Sequence, residues 1–263
     1  MGSMSREALH ASRAVLADLG PAVDLTTGEQ VLDAGRVIGG SVQLQSYLGD
    51  PATGGEVKKQ MIDRLFGAFG DQARALLVSV VAGRWSSADD LLAGIEEIGV
   101  RAVATSGDEG TVVDELFAFD AAIRSDSRLE LALGTKLSDD SAKAALVERL
   151  LRGRASDQTV AVVGHLVRQP RGRRIGQLLR HAATIVADQS DELVATVTTA
   201  ASLGAEHRTR LEQGLARRYG RDVRVNEVVD PTVVGGLRVQ VGDEVTDGTV
   251  ATKLSQLRLQ LAG

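Results

Sequence analysis

The chain has 263 residues, room for one large domain or two to three small ones, and its 43% apolar content can build real cores. Aromatic residues make up only 3%, which favours closely packed helices over a deep ligand pocket lined with rings. A net charge of −5 gives no field to draw in nucleic acid or acidic lipid, and the absence of cysteine excludes disulfides and thiolate zinc sites.

The longest apolar run, Ala75 to Ala82, is interrupted by Ser79 and falls far short of the roughly 20 residues that span a bilayer. The first residues lack a charged head followed by a continuous apolar stretch, so no secretory signal is read and the cytoplasmic side is expected.

Taken in chain order, Glu29 to Tyr47 reads as a helix. Leu44 to Arg84 then lies over Leu129 to Gln169 when the chain is slid on itself by about 85 positions. In that register Leu44, Leu48, Gly49, Lys58, Arg64 and Leu65 fall on Leu129, Leu133, Gly134, Lys143, Arg149 and Leu150. Val57, Met61 and Leu65, flanked by Ile62, Phe66 and Phe69, make a helical apolar stripe. Ala142, Leu146 and Leu150, flanked by Val147 and Leu151, repeat it. The following helix carries Ala73, Leu76, Leu77, Val80 and Val81 in the first copy, and Ala161, Val162, His165 and Leu166 in the second. Between the copies, Ser87 to Asp90 ahead of Leu91 is a helix start, and Val112 to Arg124 is another helix. Each copy is expected to be a small bundle of short helices.

His165 stands where the first copy has Val80, with no second histidine or carboxylate at ligand spacing, so it is read as a packed histidine. Trp85 is read as a core plug or docking ring. The segment Arg168 to Arg180, "RQPRGRRIGQLLR", is the basic cluster that stands out. Pro170 and Gly172 put its first half in a loop. One reading is a turn whose arginines cover the carboxyl ends of neighbouring helices; another is an electrostatic contact for an acidic partner or RNA, although no aromatic residues interleave to stack bases.

After Ser190 the period changes. "ELVATVTTAA" is a strand, "GAEHRTRLEQGLARRYG" a helix closed by Gly220, and "DVRVNEV" a second strand. In "GLRVQVG", Leu237, Val239 and Val241 face one way and Arg238 and Gln240 the other. Gly235-Gly236 calls for a bulge or a close backbone approach. Gly242-Asp243 suits a tight turn, and Asp247-Gly248 a turn into a last amphipathic helix carrying Val250, Leu254, Leu257 and Leu261. Asp230, Asp243, Glu244 and Asp247 lack the alternation of a calcium loop. The fold class expected is mainly α with a small C-terminal α/β domain: two related short-helix bundles, an internal duplication, followed by a mixed strand and helix domain.

Enzyme motifs are absent: no Gly-x-x-x-x-Gly-Lys loop, no Gly-x-Ser-x-Gly elbow, no paired-histidine helix and no cysteine nucleophile. From Val223 to Gly242, two apolar alternations enclose Val229-Asp230 and Gly235-Gly236, and "GDEVTDGTVATKLSQL" follows. This order resembles the signature of the delta subunit of F-type ATP synthase, called OSCP in mitochondria. The likeness extends more loosely back to about Gly107, and the "RQPRGR" turn and the long N-terminal extension resemble actinobacterial forms, in some of which a stalk helix is fused upstream.

The resemblance implies a stator subunit without catalytic residue, cofactor or metal, peripheral on the cytoplasmic face of the bacterial plasma membrane. Its helical domain would clamp the N-terminal helix of an alpha subunit, and its α/β domain would hold the peripheral-stalk b subunit. Three domains are expected on that pattern: a first bundle at 5–105 as an extension, a second at 106–188 and the α/β domain at 189–263. The signature residues are Asp230, Gly235, Gly236, Gly242, Asp243, Asp247 and Gly248; the groove residues expected are Leu146, Val147, Leu150, Val162 and Leu166. The first copy, roughly Ser5 to Ala104, is expected to offer a second helix-binding groove.

Overall fold

The structure is a computed structural model that describes residues 2–134, 139–250 and 252. The chain divides into two compact units, Met1–Val186 and Ala187–Gly263. The described residues are mainly helical, with a small mixed sheet at the C-terminal end.

The first unit opens with α1 (Ser3–Leu19), a short 3-10 turn at Gly20–Ala22, α2 (Leu25–Gly39), α3 (Val42–Gly49), α4 (Gly55–Leu65), α5 (Asp71–Ala82) and α6 (Ala88–Thr105). It continues with α7 (Glu109–Ser125), α8 (Ser127–Gly134), α9 (Asp140–Leu151) and α10 (Asp157–Arg168); α11 (Ile175–Gln189) runs from this unit into the second. Side-chain caps start many of these helices: Asp24 accepts from Thr27 N at 2.7 Å, Ser87 from Asp90 N at 3.1 Å and Asp108 from Thr111 N at 2.8 Å. Each cap satisfies a free amide and contributes about 1 kcal/mol.

Two sequence expectations need correction. Glu29 to Tyr47 is two helices, because the chain leaves α2 at Gly40 and Ser41, in extended backbone, caps α3 through Leu44 N at 3.3 Å. Gly39, Gly40 and Ser41 all disfavour helix interiors, and the apolar periodicity runs across the break. Second, the stripe of α4 is turned by one residue. Val57 and Leu65 are exposed, while Lys58, Ile62 and Phe66 are buried. In α9 likewise Ala142 is exposed, Leu146 and Leu150 are half-buried, and Lys143, Val147 and Leu151 are buried. A fourfold spacing drifts about 40° per step around a helix, so it marks the edge of a face as readily as its centre. The lysine stems at 58 and 143 serve as apolar surface with their heads at the margin.

The duplication extends to details of contact. Gln30 Oε1 of α2 accepts from Gly70 N, at the start of α5, at 2.9 Å; Glu115 of α7 accepts from Ser156 N, at the start of α10, at 3.0 Å. The helix α6 packs against α1, α2 and α5 on one side and against α7 and α10 on the other. It is therefore buried on every face from Leu91 to Ala104 apart from Ala93, closing the first bundle and opening the second. Glycines bring it close to its neighbours: a β-carbon at Gly28 would lie 2.5 Å from Val103 N, and one at Gly99 2.5 Å from Leu32 Cδ2. Trp85 lies on Gly94 and donates from Nε1 to Val80 O at 2.8 Å, so the core-plug reading holds.

In the second unit β1 (Glu192–Thr199) is followed by α12 (Ala205–Tyr219), β2 (Asp222–Val229), β3 (Leu237–Val241) and β4 (Glu244–Asp247). The sheet order is β2-β1-β3-β4, with β1 and β2 parallel across the α12 crossover and the remaining pairs antiparallel. Ala195, Val197, Val223, Val225 and Val239 meet Leu215 of α12 in the core. Gly220, at φ 70°, closes α12. The strand β4 was not read from sequence, since all four of its residues are exposed and carry no apolar alternation. The expected last helix lies outside the described residues except for Val250 and Thr252.

Candidate functional site

The tail signature is a crossing of two backbone segments. Gly235 and Gly236 have φ of 67° and 79°, in the left-handed region that side chains resist. A β-carbon on Gly236 would sit 2.5 Å from the carbonyl oxygen of Gly248. Across the same crossing Gly248 N donates to Leu237 O at 2.9 Å and Val250 N to Gly235 O at 3.2 Å. The double glycine is thus the close approach that the sequence called for. Gly242, at φ 56°, and Asp243 form the two-residue loop between β3 and β4, whose register pairs Val241 with Glu244.

The acidic residues of the tail serve local structure. Asp230 accepts from Thr232 N at 2.9 Å and Asp247 from Thr249 N at 3.0 Å. In both, hydrogen bonds from the partner threonine hold the carboxyl below its ordinary pKa. Glu244 is bonded by Arg218 and, at 2.9 Å, by Tyr219 Oη.

Three arginines of the basic segment, Arg171, Arg173 and Arg180, turn inward, while Arg168 and Arg174 are exposed. Glu96 of α6, only 5% exposed, takes Arg173 Nη2 at 2.8 and 3.0 Å on its two oxygens and Arg171 Nη2 at 2.9 Å. Asp120 of α7, fully buried, takes Arg180 Nη1 at 3.1 Å and Arg124 Nη2 at 3.1 Å. A buried carboxylate stripped of its partner costs several kcal/mol, so these arginines are committed to internal anchoring. Neither a turn covering helix ends nor a free basic patch describes them. His165 is buried with Nε2 4.0 Å from Glu96 Oε2, too long for a hydrogen bond. Burial, against the pull of Glu96, lowers its pKa to about 4.

Among the described residues, two apolar concavities on the second bundle bear on the expected groove. The larger, about 560 Å³, is bounded by Leu131 and Leu133 of α8, Lys143, Leu166, the 170–174 turn, and Ile175 and Leu178 of α11. The smaller, about 260 Å³, lies among Phe119, Ala122, Leu129, Leu150 and Leu151. Of the residues expected to form a groove, Leu166 lines the first and Leu150 the second. Val147 and Val162 are fully buried behind them, and Leu146 is half-buried. Leu131, 71% exposed, was missed. Its signal was present: Leu129, Leu131 and Leu133 alternate within a helix, where residues two apart lie on opposite sides, so one of them must face out. On the second unit a further apolar hollow is lined by Leu203, Leu211, Leu215 and Leu237.

No group of three or more metal-ligating side chains occurs among the described residues. None of their helices is long and apolar enough to cross a membrane.

Comparison with known proteins matches these features to one family. The family model for the ATP synthase delta (OSCP) subunit covers residues 100–261. The ATP synthase subunit delta of Leifsonia xyli is 51% identical over 100% of both chains, and that of Streptomyces griseus 37% identical over 100% of both. A chain in the cryo-EM structure of the Toxoplasma gondii mitochondrial ATP synthase hexamer aligns at 21% identity and a TM-score of 0.41, over 64% of this chain and 96% of that one. The family model begins inside α6, whereas the full-length relatives also align over the first bundle. The chain belongs to the ATP synthase delta (OSCP) subunit family.

Proposed function

We propose that the chain is a non-catalytic brace in the peripheral stalk of F-type ATP synthase, holding the catalytic head against the torque of the rotor. Kinship with delta subunits over the full length carries this reading. The physical features that support it are apolar concavities on the second short-helix bundle, a recognised seat for an amphipathic helix, and buried charges that are spent on internal anchoring.

The division of labour follows the chain. The second bundle, 106–188, receives the N-terminal helix of an alpha subunit, with Leu166 lining the larger concavity and Leu150 the smaller one as the two candidate seats, and Leu146, Val147 and Val162 backing them. The α/β domain, 189–263, holds the b subunit, its shape set by Asp230, Gly235, Gly236, Gly242, Asp243, Asp247 and Gly248. The first bundle, 5–105, offers a second helix seat, since it repeats the packing of the second. On this reading the chain sits peripherally at the cytoplasmic face of the bacterial plasma membrane. Affinity capture of the tagged chain from gently solubilised membranes tests this: alpha and b subunits are expected in the eluate, and their consistent absence would overturn it. The RNA-binding alternative gains nothing from the basic segment, whose Arg171, Arg173 and Arg180 are already paired with buried carboxylates.

A further inference from the structure

We propose that Glu96 is a positioning residue for the larger seat of the second bundle, acting from the helix that closes the first. Its role there rests on the docking reading above. The rim of that seat is the 170–174 turn, whose Pro170, Gly172, Arg173 and Arg174 line the cavity. This turn holds two successive left-handed residues, Arg171 at φ 44° and Gly172 at φ 77°. For a non-glycine residue that conformation is disfavoured and persists where surrounding contacts impose it.

Glu96 supplies such contacts. Both of its oxygens are occupied by the turn, with Arg173 bridging them at 2.8 and 3.0 Å and Arg171 adding a bond at 2.9 Å. The carboxylate is buried, so the pairs are poorly screened, and Arg171 and Arg173 are themselves only 22% and 31% exposed. Arg173 N also donates to Pro170 O at 2.9 Å, closing the turn on itself. Releasing the carboxylate leaves the turn with its backbone strain and without the charge that offsets it.

The first bundle has the same joint in another chemistry. There the opening helix, α1, ties down the link between α5 and α6: Ser5 Oγ accepts from Ser86 N at 2.9 Å and donates to Asp90 Oδ2 at 2.6 Å. In the second bundle α6 takes the place of α1 and binds the link between α10 and α11, using Glu96 in place of a serine. Glu96 lies outside the segment matched by the family model. The seat of the family-matched part is therefore shaped by a residue of the extension.

The test uses the full chain and its Glu96→Gln variant, which keeps the shape and removes the charge. Backbone amide exchange is measured across 171–174, and affinity is measured for a synthetic peptide of the alpha-subunit N-terminal helix, well below the unfolding midpoint. Exchange at 171–174 is expected to quicken tenfold or more, and the peptide to bind about tenfold more weakly. A merely structural contribution would lower the unfolding midpoint and leave affinity unchanged, and equal affinities would overturn the proposal. Failure of the wild-type chain to bind the peptide would overturn the docking reading instead, and unchanged exchange in the variant would still overturn the clamp. If Glu96→Gln does not fold, Arg171→Gln loosens the same clamp from a residue that does not line the cavity, with the same outcomes expected.

Discussion

Gly236 and Gly248 touch backbone to backbone: a β-carbon on the first would fall 2.5 Å from the carbonyl oxygen of the second. The strand that leaves the double glycine and the segment that follows β4 thus cross at a distance that only glycine allows. Replacing Gly236 with Val combines this collision with a left-handed φ of 79°, and the expected loss is about 3 kcal/mol or more. Amide exchange should show protection falling in 192–250 while the helices of the first unit keep theirs; an unaltered β3 would contradict the crossing.

Gly94 and Trp85 give the equivalent test for the first unit. A β-carbon at Gly94 would lie 2.1 Å from the indole ring, and Gly94→Ala should cost about 1–3 kcal/mol despite the better helix propensity of alanine. Combining it with Trp85→Leu should return part of that cost. A double-mutant cycle in denaturant unfolding measures the coupling, and strictly additive losses would show that the ring does not rest there.

Glu115 and Gln30 hold equivalent posts, each accepting the amide that starts the fifth helix of its copy. Glu115→Ala should destabilise the first unit by about 1–2 kcal/mol, since two bonds to Ser156 N and one to its hydroxyl are lost. Gln30→Ala, losing one bond to Gly70 N, should cost about 1 kcal/mol. Urea midpoints of the two variants check the ranking.

His165 sets a pH dependence with a definite sign. Its pKa is lowered in the folded chain from 6.5 to about 4, chiefly by burial. Between those values the unfolded chain binds a proton that the folded chain does not, so stability rises with pH across the window and is lost as pH falls from about 6.5 towards 4. The full contribution is on the order of 3 kcal/mol. The wild-type stability curve minus that of His165→Leu should show this slope and level off above pH 7; a flat difference would mean that the imidazole is hydrated.

Much of the architecture is legible in the sequence because local chemistry and packing agree. Ser87 caps the helix it was expected to start, Gly220 closes α12, and Val239 faces the core while Arg238 and Gln240 do not. The repeat is also visible, because Lys58 and Lys143 occupy the same buried position in α4 and α9.

What escaped was set by partners distant in sequence. The stripe of α4 is rotated by the side on which its neighbours lie, and β4 exists through its hairpin with β3. The inward folding of Arg171, Arg173 and Arg180 depends on two carboxylates 60 to 77 residues away. The seat was half seen for the same reason: apolar periodicity marks Val147 and Val162, which fill the core, and says little about an outward residue such as Leu131.

The brace itself is tested most directly by proton-driven ATP synthesis in vesicles carrying the synthase assembled with and without this chain, alongside ATP hydrolysis by the detached catalytic head. Synthesis is expected to collapse without the chain, hydrolysis by the head to continue unchanged, and the isolated chain to turn over no nucleotide. Full-rate synthesis in its absence, or turnover by the chain alone, would contradict the brace reading.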